Sequence, residues 1–375
     1  MNVGIVCEFN PFHNGHAYLI AKSRELTGGN VVCAISSNFV QRGEYAFADK
    51  YTRAKWAVSA GADIVLENPF PFSCATAEKF ALGAVKILVG SNLCDALSFG
   101  CEDEVTEEML YFAASALLSK DFEGCVKERI KENKALSYAK ARQDELEARC
   151  GNEIASLVSS PNSLLAVEYA KACLTFGKKP RLFPITRMGA MHDGGTVGSF
   201  ANGSTLRVNY HLSEKYCPYE VARHLIENGG TIVNNEKYYA ALSARILYDD
   251  KASLSKTAEL PAEYAHKLKK SVTENESFDG FFESLKAKHI TDAKLRRMLV
   301  YLLTKTEKSE LLSLPESAML LAVSENGAKI LKAYKKSEGD FAVLSKLSDI
   351  KKQSDTERAR YEKQLLAEKL FEKLL

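Results

Sequence analysis

Apolar positions along the first hundred residues switch repeatedly between two periods. Residues 3–7 (VGIVC) form a short β-branched run that reads as a buried strand. Residues 16–26 (HAYLIAKSREL) carry apolar positions at helical spacing. The strand pattern returns at 31–36 (VVCAIS), and the helical one at 50–61 (KYTRAKWAVSAG), with Gly61 as a C-cap. Residues 63–68 then read as strand, 75–88 as helix and 95–100 as strand. This alternation predicts βαβ units and a parallel sheet, an α/β fold. Ligands of such sheets bind beyond the carboxyl ends of the strands. That gives most weight to residues 7–16, 36–43, 67–72 and 100–103. Residues 103–178 read as mainly helical and 180–186 (PRLFPIT) as one more strand. A Gly- and Ser-rich loop at 195–207 leads into a helix. From about 213 the strand signals fade and helical spacing dominates. The chain is thus expected to divide into a sheet domain, 1–212, and an α-helical domain, 213–375.

A chain of 375 residues fits two domains. Its 46% hydrophobic and 26% charged residues are those of a globular protein. The net charge of +2 announces no nucleic-acid partner, so any basic surface must be local. Nine scattered cysteines include no Cys-x-x-Cys pair. That argues against a zinc ribbon or a disulfide framework and fits a reducing cytoplasm. No apolar run approaches the roughly 18 residues of a membrane helix. The start shows no leader pattern. The expectation is a cytoplasmic protein with no membrane partner.

Chemistry concentrates in "EFNPFHNGH", residues 8–16. Pro11 ends the first strand and forces a turn. His13 and His16 share one face of the helix that begins there. The backbone N–H groups of that helix start are unpaired and, with the helix dipole, favour an anion. Gly15 lets a bulky ligand approach the backbone. These features read as a phosphate-binding arrangement. A metal pair would need a third ligand, and no nearby Cys, Asp or Glu has ligand spacing, so no metal is expected. Other positions carry two readings each. Arg42 holds substrate or is solvated. Glu67 orients substrate or bonds a loop. His192 with Asp193 marks an oriented histidine or a turn, and Asn162 after Pro161 is a helix N-cap. Lys50 and Arg53 read as surface contacts.

"VGIVCEFNPFHNGH" resembles the first signature of the HIGH-type nucleotidyltransferases, whose His-x-Gly-His binds ATP phosphates. Together with "FVQRGEYA" (39–46) it is closer still to the bacterial tRNA(Met) cytidine acetate ligases. "DIVLENPF" (63–70), "LSFGCED" (97–103), "SPNSLLAVEY" (160–169), "PITRMGAMHD" (184–193) and "GSTLR" (203–207) are similar to that family in the same order. The resemblance covers most of residues 1–207, and less clearly 295–303. It implies a Rossmann-like parallel sheet followed by an α-helical, tRNA-binding domain. It also implies an enzyme that activates acetate with ATP, releases pyrophosphate and acetylates N4 of the wobble cytidine of elongator tRNA(Met).

Carried over, the ATP site comprises Cys7, Glu8, Phe9, Asn10, Pro11, Phe12, His13, Asn14, Gly15, His16, Ala17, Tyr18, Leu19 and Ile20. Gly100, Asn162 and Arg187 join it, with Ser204 and Thr205 from a second nucleotide loop. His13, His16 and Arg207 are the implied catalytic residues. The lysine-rich second signature of tRNA synthetases is absent, so Arg207 supplies that charge. Acetate is ionised at neutral pH, so its attack on phosphorus needs no base. Transfer at phosphorus needs positioning and charge neutralisation. Magnesium is expected to ride on the ATP phosphates. For acetyl transfer, His16 is the one weak candidate for a base. Phe9, Phe12 or residues after Ile35 offer an acyl pocket.

Residues 285–308 carry seven Lys or Arg against Asp292 and Glu307. Lys294, Arg296 and Arg297 cluster at a helix start, where they meet RNA phosphates or simply face water. Two rival readings remain open at this point. One is a nucleotidyltransferase of a phosphorylated metabolite, and the other a non-catalytic RNA- or nucleotide-binding protein.

Overall fold

The computed structural model describes residues 1–102, 104–187, 196–261, 263–288, 290–334 and 341–375. Its strands, in chain order, begin with β1 (Asn2–Cys7), β2 (Asn30–Ser36), β3 (Phe39–Val40) and β4 (Glu44–Tyr45). They continue with β5 (Ile64–Asn68), β6 (Ala96–Cys101), β7 (Arg181–Thr186), β8 (Thr196–Val197) and β9 (Phe200–Ala201). β10 (Ser317–Val323) and β11 (Ala342–Leu344) complete the set.

Seven of these form one sheet in the order β11–β10–β5–β2–β1–β6–β7. β1 is central and pairs in parallel with β2 on one edge and β6 on the other. β5 and β7 extend the two sides, also parallel. Strand order reverses between β1 and β6, which opens a crevice beyond their carboxyl ends. Both faces of the sheet are covered. Val32 and Ala34 of β2 point into one apolar cluster, and Val31, Cys33 and Ile35 into the other. This is why β2 reads as a continuous apolar run rather than an alternating one.

The α/β class and the helical region behind the sheet are as expected. Helices Tyr219–Asn228, Asn235–Tyr248, Tyr264–Glu274, Phe278–Leu285 and Asp292–Leu303 make up that region. The helical character does not, however, run to the end of the chain as the reading of 213–375 had it. β10 pairs antiparallel with β5, with Leu320 opposite Leu66, and β11 pairs parallel with β10. The β10 sequence, SAMLLAV, is rich in good helix formers. Burial against β5 overrides that weak local preference. The sheet is therefore completed from both ends of the chain.

The last helix, Asp355–Glu372, closes this arrangement. Lys50 Nζ lies 2.7 Å from Glu67 and 2.8 Å from Glu368. Gln364 donates to Glu67 (2.7 Å) and accepts the Phe70 N–H (2.8 Å). Arg53 is fully buried and donates to the carbonyls of Ala48 (2.8 Å), Glu8 (2.6 Å) and Ser37 (2.6 Å). Lys50 and Arg53 are thus interior clamps, not surface residues. The partners that decide this are scattered along the chain. Glu67 is likewise taken up by Lys50 and Gln364. Above the clamp, Phe39 packs on Phe70 at 4.9 Å and on Phe371 at 4.8 Å. These rings join the helical region to the ligand ends of β2 and β5 in a third apolar cluster. Among the described residues no helix is long and apolar enough to cross a membrane.

Burial pushes the Glu368 carboxyl up to about 7, so its neutral form is accessible. Lys50→Met leaves two buried carboxylates without a cation and is expected to cost about 3–5 kcal/mol in urea unfolding. Glu368→Gln retains the Lys50–Glu67 pair and is expected to cost less than about 1.5 kcal/mol. Equal losses would contradict the clamp.

Candidate active site

The site is built on the turn that leaves β1. Phe9 adopts φ 51°, a strained value for a bulky residue, and its ring is fully buried against Phe12 (4.8 Å) and His16 (5.0 Å). Asn10 Oδ1 accepts the Phe47 N–H at 2.7 Å, which ties the turn to the loop after β4. The first helix, Asn14–Thr27, starts immediately afterwards.

His13 is the N-cap of that helix and His16 its third residue. His13 Nδ1 accepts the Gly15 N–H at 3.1 Å, and His16 Nδ1 accepts the His13 N–H at 3.2 Å. The rings stack with centroids 3.8 Å apart. Each Nδ1 therefore uses its lone pair on the backbone, so each neutral ring carries its proton on Nε2. Burial, aided by the Arg187 charge, pulls His13 down to about 3. Burial also holds His16 well below the usual range, with His13 and Arg187 adding to it. Both rings are neutral at pH 7, with Nε2–H as their remaining donor. The expected bare backbone N–H groups are thus corrected. Gly15 N–H is capped by His13, and the His16 N–H bonds the His13 carbonyl at 2.8 Å. Gly15 serves the cap itself, since a Cβ there would lie 2.9 Å from His13 Cε1.

A second short helix, Gly203–Val208, docks on this turn. Asn202 caps it, accepting the Thr205 N–H and the Ser204 hydroxyl, both at 2.8 Å. A Cβ on Gly203 would lie 2.8 Å from the Asn10 carbonyl oxygen, so the contact is backbone to backbone. Arg207 Nη1 donates to that same carbonyl at 2.8 Å. On the β6 side, Arg187 donates its N–H to the Cys101 carbonyl at 3.0 Å. A Cβ on Gly100 would lie 3.1 Å from Arg187 Cγ. Paired imidazole donors, two arginines and a glycine-lined strand end thus surround the carboxyl ends of β1 and β6. Such an arrangement can neutralise a polyphosphate without a charged histidine.

The whole chain, residues 1–375, matches the model of the HIGH nucleotidyl transferase family. A tRNA(Met) cytidine acetate ligase from Thermoanaerobacter sp. (strain X514) is 30% identical, over 98% of this chain and 94% of its own length. One from Streptococcus pyogenes serotype M5 is 33% identical, over 89% of this chain and 86% of its own length. Thermotoga maritima TmcAL bound with alpha-thio ATP superposes with a TM-score of 0.86 at 25% identity, over 98% of this chain and 92% of that one. The chain belongs to the tRNA(Met) cytidine acetate ligase family of HIGH nucleotidyltransferases.

The residues that the family resemblance gathers are not equally placed. His13, His16, Asn14, Gly15, Gly100, Arg187, Ser204, Thr205 and Arg207 line the region just described. Cys7, Phe9, Pro11, Phe12 and Ile20 are buried, so they support the turn from beneath. Phe9 and Phe12 form core rather than an acyl pocket. Ala17, Tyr18 and Leu19 are half-buried along the first helix. Asn162 is not an N-cap. Ser160 holds the N-cap position, without a side-chain cap bond, Pro161 follows in the first turn, and Asn162 Nδ2 instead donates to Glu102. His192, Asp193, Asp103 and His289 lie outside the described residues. Among the described residues no three His, Cys, Asp or Glu side chains converge as metal ligands.

The hairpin of β3 and β4 is a junction. Gln41 donates its N–H to Glu8 Oε1 at 2.6 Å. Gly43 has φ 82°, and a Cβ there would lie 2.4 Å from the Arg297 nitrogen. Glu44 sits 3.6 Å from Arg207 and 3.7 Å from Arg296. Gly43, the one residue suited to that backbone angle, was the available signal.

This packing corrects the proposed RNA contact of Arg297. Helix Asp292–Leu303 buries Leu295, Met298, Leu299, Tyr301 and Leu302, and Arg297 falls on the same inward stripe. It is 6% exposed and donates to Glu259 from Nε (2.9 and 3.1 Å) and from Nη2 (2.7 Å). Lys294 and Arg296 stay partly exposed. Arg297→Glu, which sets one buried carboxylate against another, is expected to cost at least about 3 kcal/mol. Lys294→Glu and Arg296→Glu are each expected to cost about 1 kcal/mol or less. Thermal unfolding of the three variants checks this division.

Proposed function

We propose that this chain is an ATP-dependent ligase that acetylates N4 of the wobble cytidine of elongator tRNA(Met). The observation that carries the reading is the docking of Arg207 on the same turn that holds two neutral, Nε2-protonated histidines, in a chain of this family. In the first step an acetate oxygen attacks the α-phosphorus of ATP and pyrophosphate leaves. Nε2–H groups of His13 and His16 donate to phosphate oxygens, and Arg187 and Arg207 offset the charge that builds on them. Because neither ring titrates near pH 7, their donation does not depend on pH there. Gly100 and Asn162 take the nucleoside side of the crevice. Magnesium, carried on the ATP phosphates, adds charge neutralisation when bound. In the second step cytosine N4 attacks the acetyl carbon of acetyl-adenylate and AMP leaves. Lys294 and Arg296 bind RNA phosphates near the hairpin, where an unstacked anticodon base is readily splayed out. Such a substrate places the enzyme in the cytoplasm.

The test supplies ATP, labelled acetate and elongator tRNA(Met) to the purified protein. Acetylcytidine, AMP and pyrophosphate are the expected products, and His13→Ala is expected to lower their rate by about 10²–10³-fold. Lys294→Glu combined with Arg296→Glu is expected to raise KM for tRNA while acetate-dependent ATP–pyrophosphate exchange persists. Pyrophosphate release with a phosphorylated metabolite in place of acetate and tRNA would overturn the reading.

A further inference from the structure

The first half-reaction needs no base, but the second does. When cytosine N4 bonds to the acetyl carbon, the amine must lose a proton. His13 and His16 cannot take it. Each Nδ1 lone pair is held by a backbone N–H, and each Nε2 carries the remaining proton. This removes His16, the one base offered by the sequence. The carboxylates around the crevice then divide by their partners. Glu67 is bound by Lys50 and Gln364. Glu44 lies between Arg207 and Arg296, at 3.6 and 3.7 Å. Glu102 Oε1 accepts from Asn162 and its buried Oε2 has no partner among the described residues, but this carboxylate follows β6, on the side of the crevice away from the hairpin and the helix that carries Arg296.

Glu8 differs from Glu102 in its place, on the hairpin side of the crevice. It is the first residue beyond β1, and its side chain turns toward the hairpin on the β2 side of the crevice. Its Oε1 accepts the Gln41 N–H at 2.6 Å. Among the described residues its other carboxylate oxygen has no hydrogen-bond partner. The backbone on both sides is fixed. Arg53 binds the Glu8 carbonyl at 2.6 Å, and Phe9 is locked by its buried ring. The carboxylate is thus half-buried, oriented through one oxygen and open at the other. It sits on the side of the turn that faces the hairpin and, beyond it, Arg296.

We propose that Glu8 is the general base of acetyl transfer. The assignment rests on the ligase reading above. The N4 lone pair forms the bond to the acetyl carbon. The bond from that carbon to the phosphate oxygen breaks, and its electron pair leaves on AMP. The N4 proton passes to the free carboxylate oxygen of Glu8 and then to water before the next turnover. Arg207, close enough to act electrostatically on Glu8, offsets the charge gathering on the leaving phosphate.

The surroundings suit a base. Burial raises the Glu8 carboxyl above the ordinary range. The Gln41 N–H, Arg207 and Arg53 oppose that, and Glu44 reinforces it. Cys7, Cys74 and Tyr169 also face Glu8, and burial keeps all three protonated. Glu8 works only when ionised. Transfer should therefore rise with pH through its raised pKa and level off above it.

Glu8→Gln isolates the base, because its amide oxygen still accepts the Gln41 N–H. Two rates are compared in wild type and variant. One is acetate-dependent ATP–pyrophosphate exchange, and the other is single-turnover transfer from preformed acetyl-adenylate to tRNA. The ratio of transfer to exchange is expected to fall about 10²–10⁴-fold, the usual worth of a general base. The rise of transfer with pH should vanish in Glu8→Gln and return in part in Glu8→Asp. An unchanged ratio, whether both rates fall together or neither does, would overturn the assignment. Absence of any transfer by the wild-type enzyme would instead overturn the ligase reading itself.

Discussion

Two hydrogen bonds at the start of the first helix govern the chemistry of this site. His13 Nδ1 takes the Gly15 N–H, and His16 Nδ1 takes the N–H of His13. Each imidazole thereby replaces water as the partner of a helix-terminal donor. The exchange fixes three properties together. It sets the tautomer, leaving Nε2–H as the donor. It stacks the rings, which with burial keeps them uncharged. It also excludes both histidines from proton abstraction, so the base for a second step must be found elsewhere. Gly15 belongs to the same unit, because any side chain there would strike the His13 ring.

Around this cap the fold joins parts that are distant in sequence. The β3–β4 hairpin touches Glu8 through Gln41, Arg207 and Arg296 through Glu44, and the helix backbone through Gly43. The two-histidine turn with Arg207 and the helix that carries Lys294 and Arg296 therefore share one small element. Beneath it, the Lys50 clamp fastens the last helix to the end of β5. The sheet needs β10 and β11 from the end of the chain, so the helical region is an excursion from the sheet domain and not an appendage to it.

What could be read from the sequence follows from the range of the forces involved. The first strands and helices were legible because burial writes a period into neighbouring residues. The turn at Pro11 and the shared helix face of His13 and His16 were legible because a turn and a helix start demand particular residues at fixed spacing, whereas the place of 203–207 beside them came only through the family resemblance. β10 was not, because SAMLLAV favours a helix locally and only pairing with β5 makes it a strand. The burial of Lys50 depends on Glu368, 318 positions away. Arg297 depends on Glu259, and Asn162 on Glu102. A charge in a sequence declares its sign and not its partner, so these residues looked like surface or cap.

The chemistry of this site depends on the protonation state of the two histidines. ¹⁵N chemical shifts of the His13 and His16 imidazoles, recorded from pH 5 to 8 with and without ATP, report it directly. Two neutral rings protonated at Nε2 throughout, with ATP shifting only the Nε2 resonances, is the predicted result. A ring that becomes imidazolium within that range, or that carries its proton on Nδ1, would contradict the account.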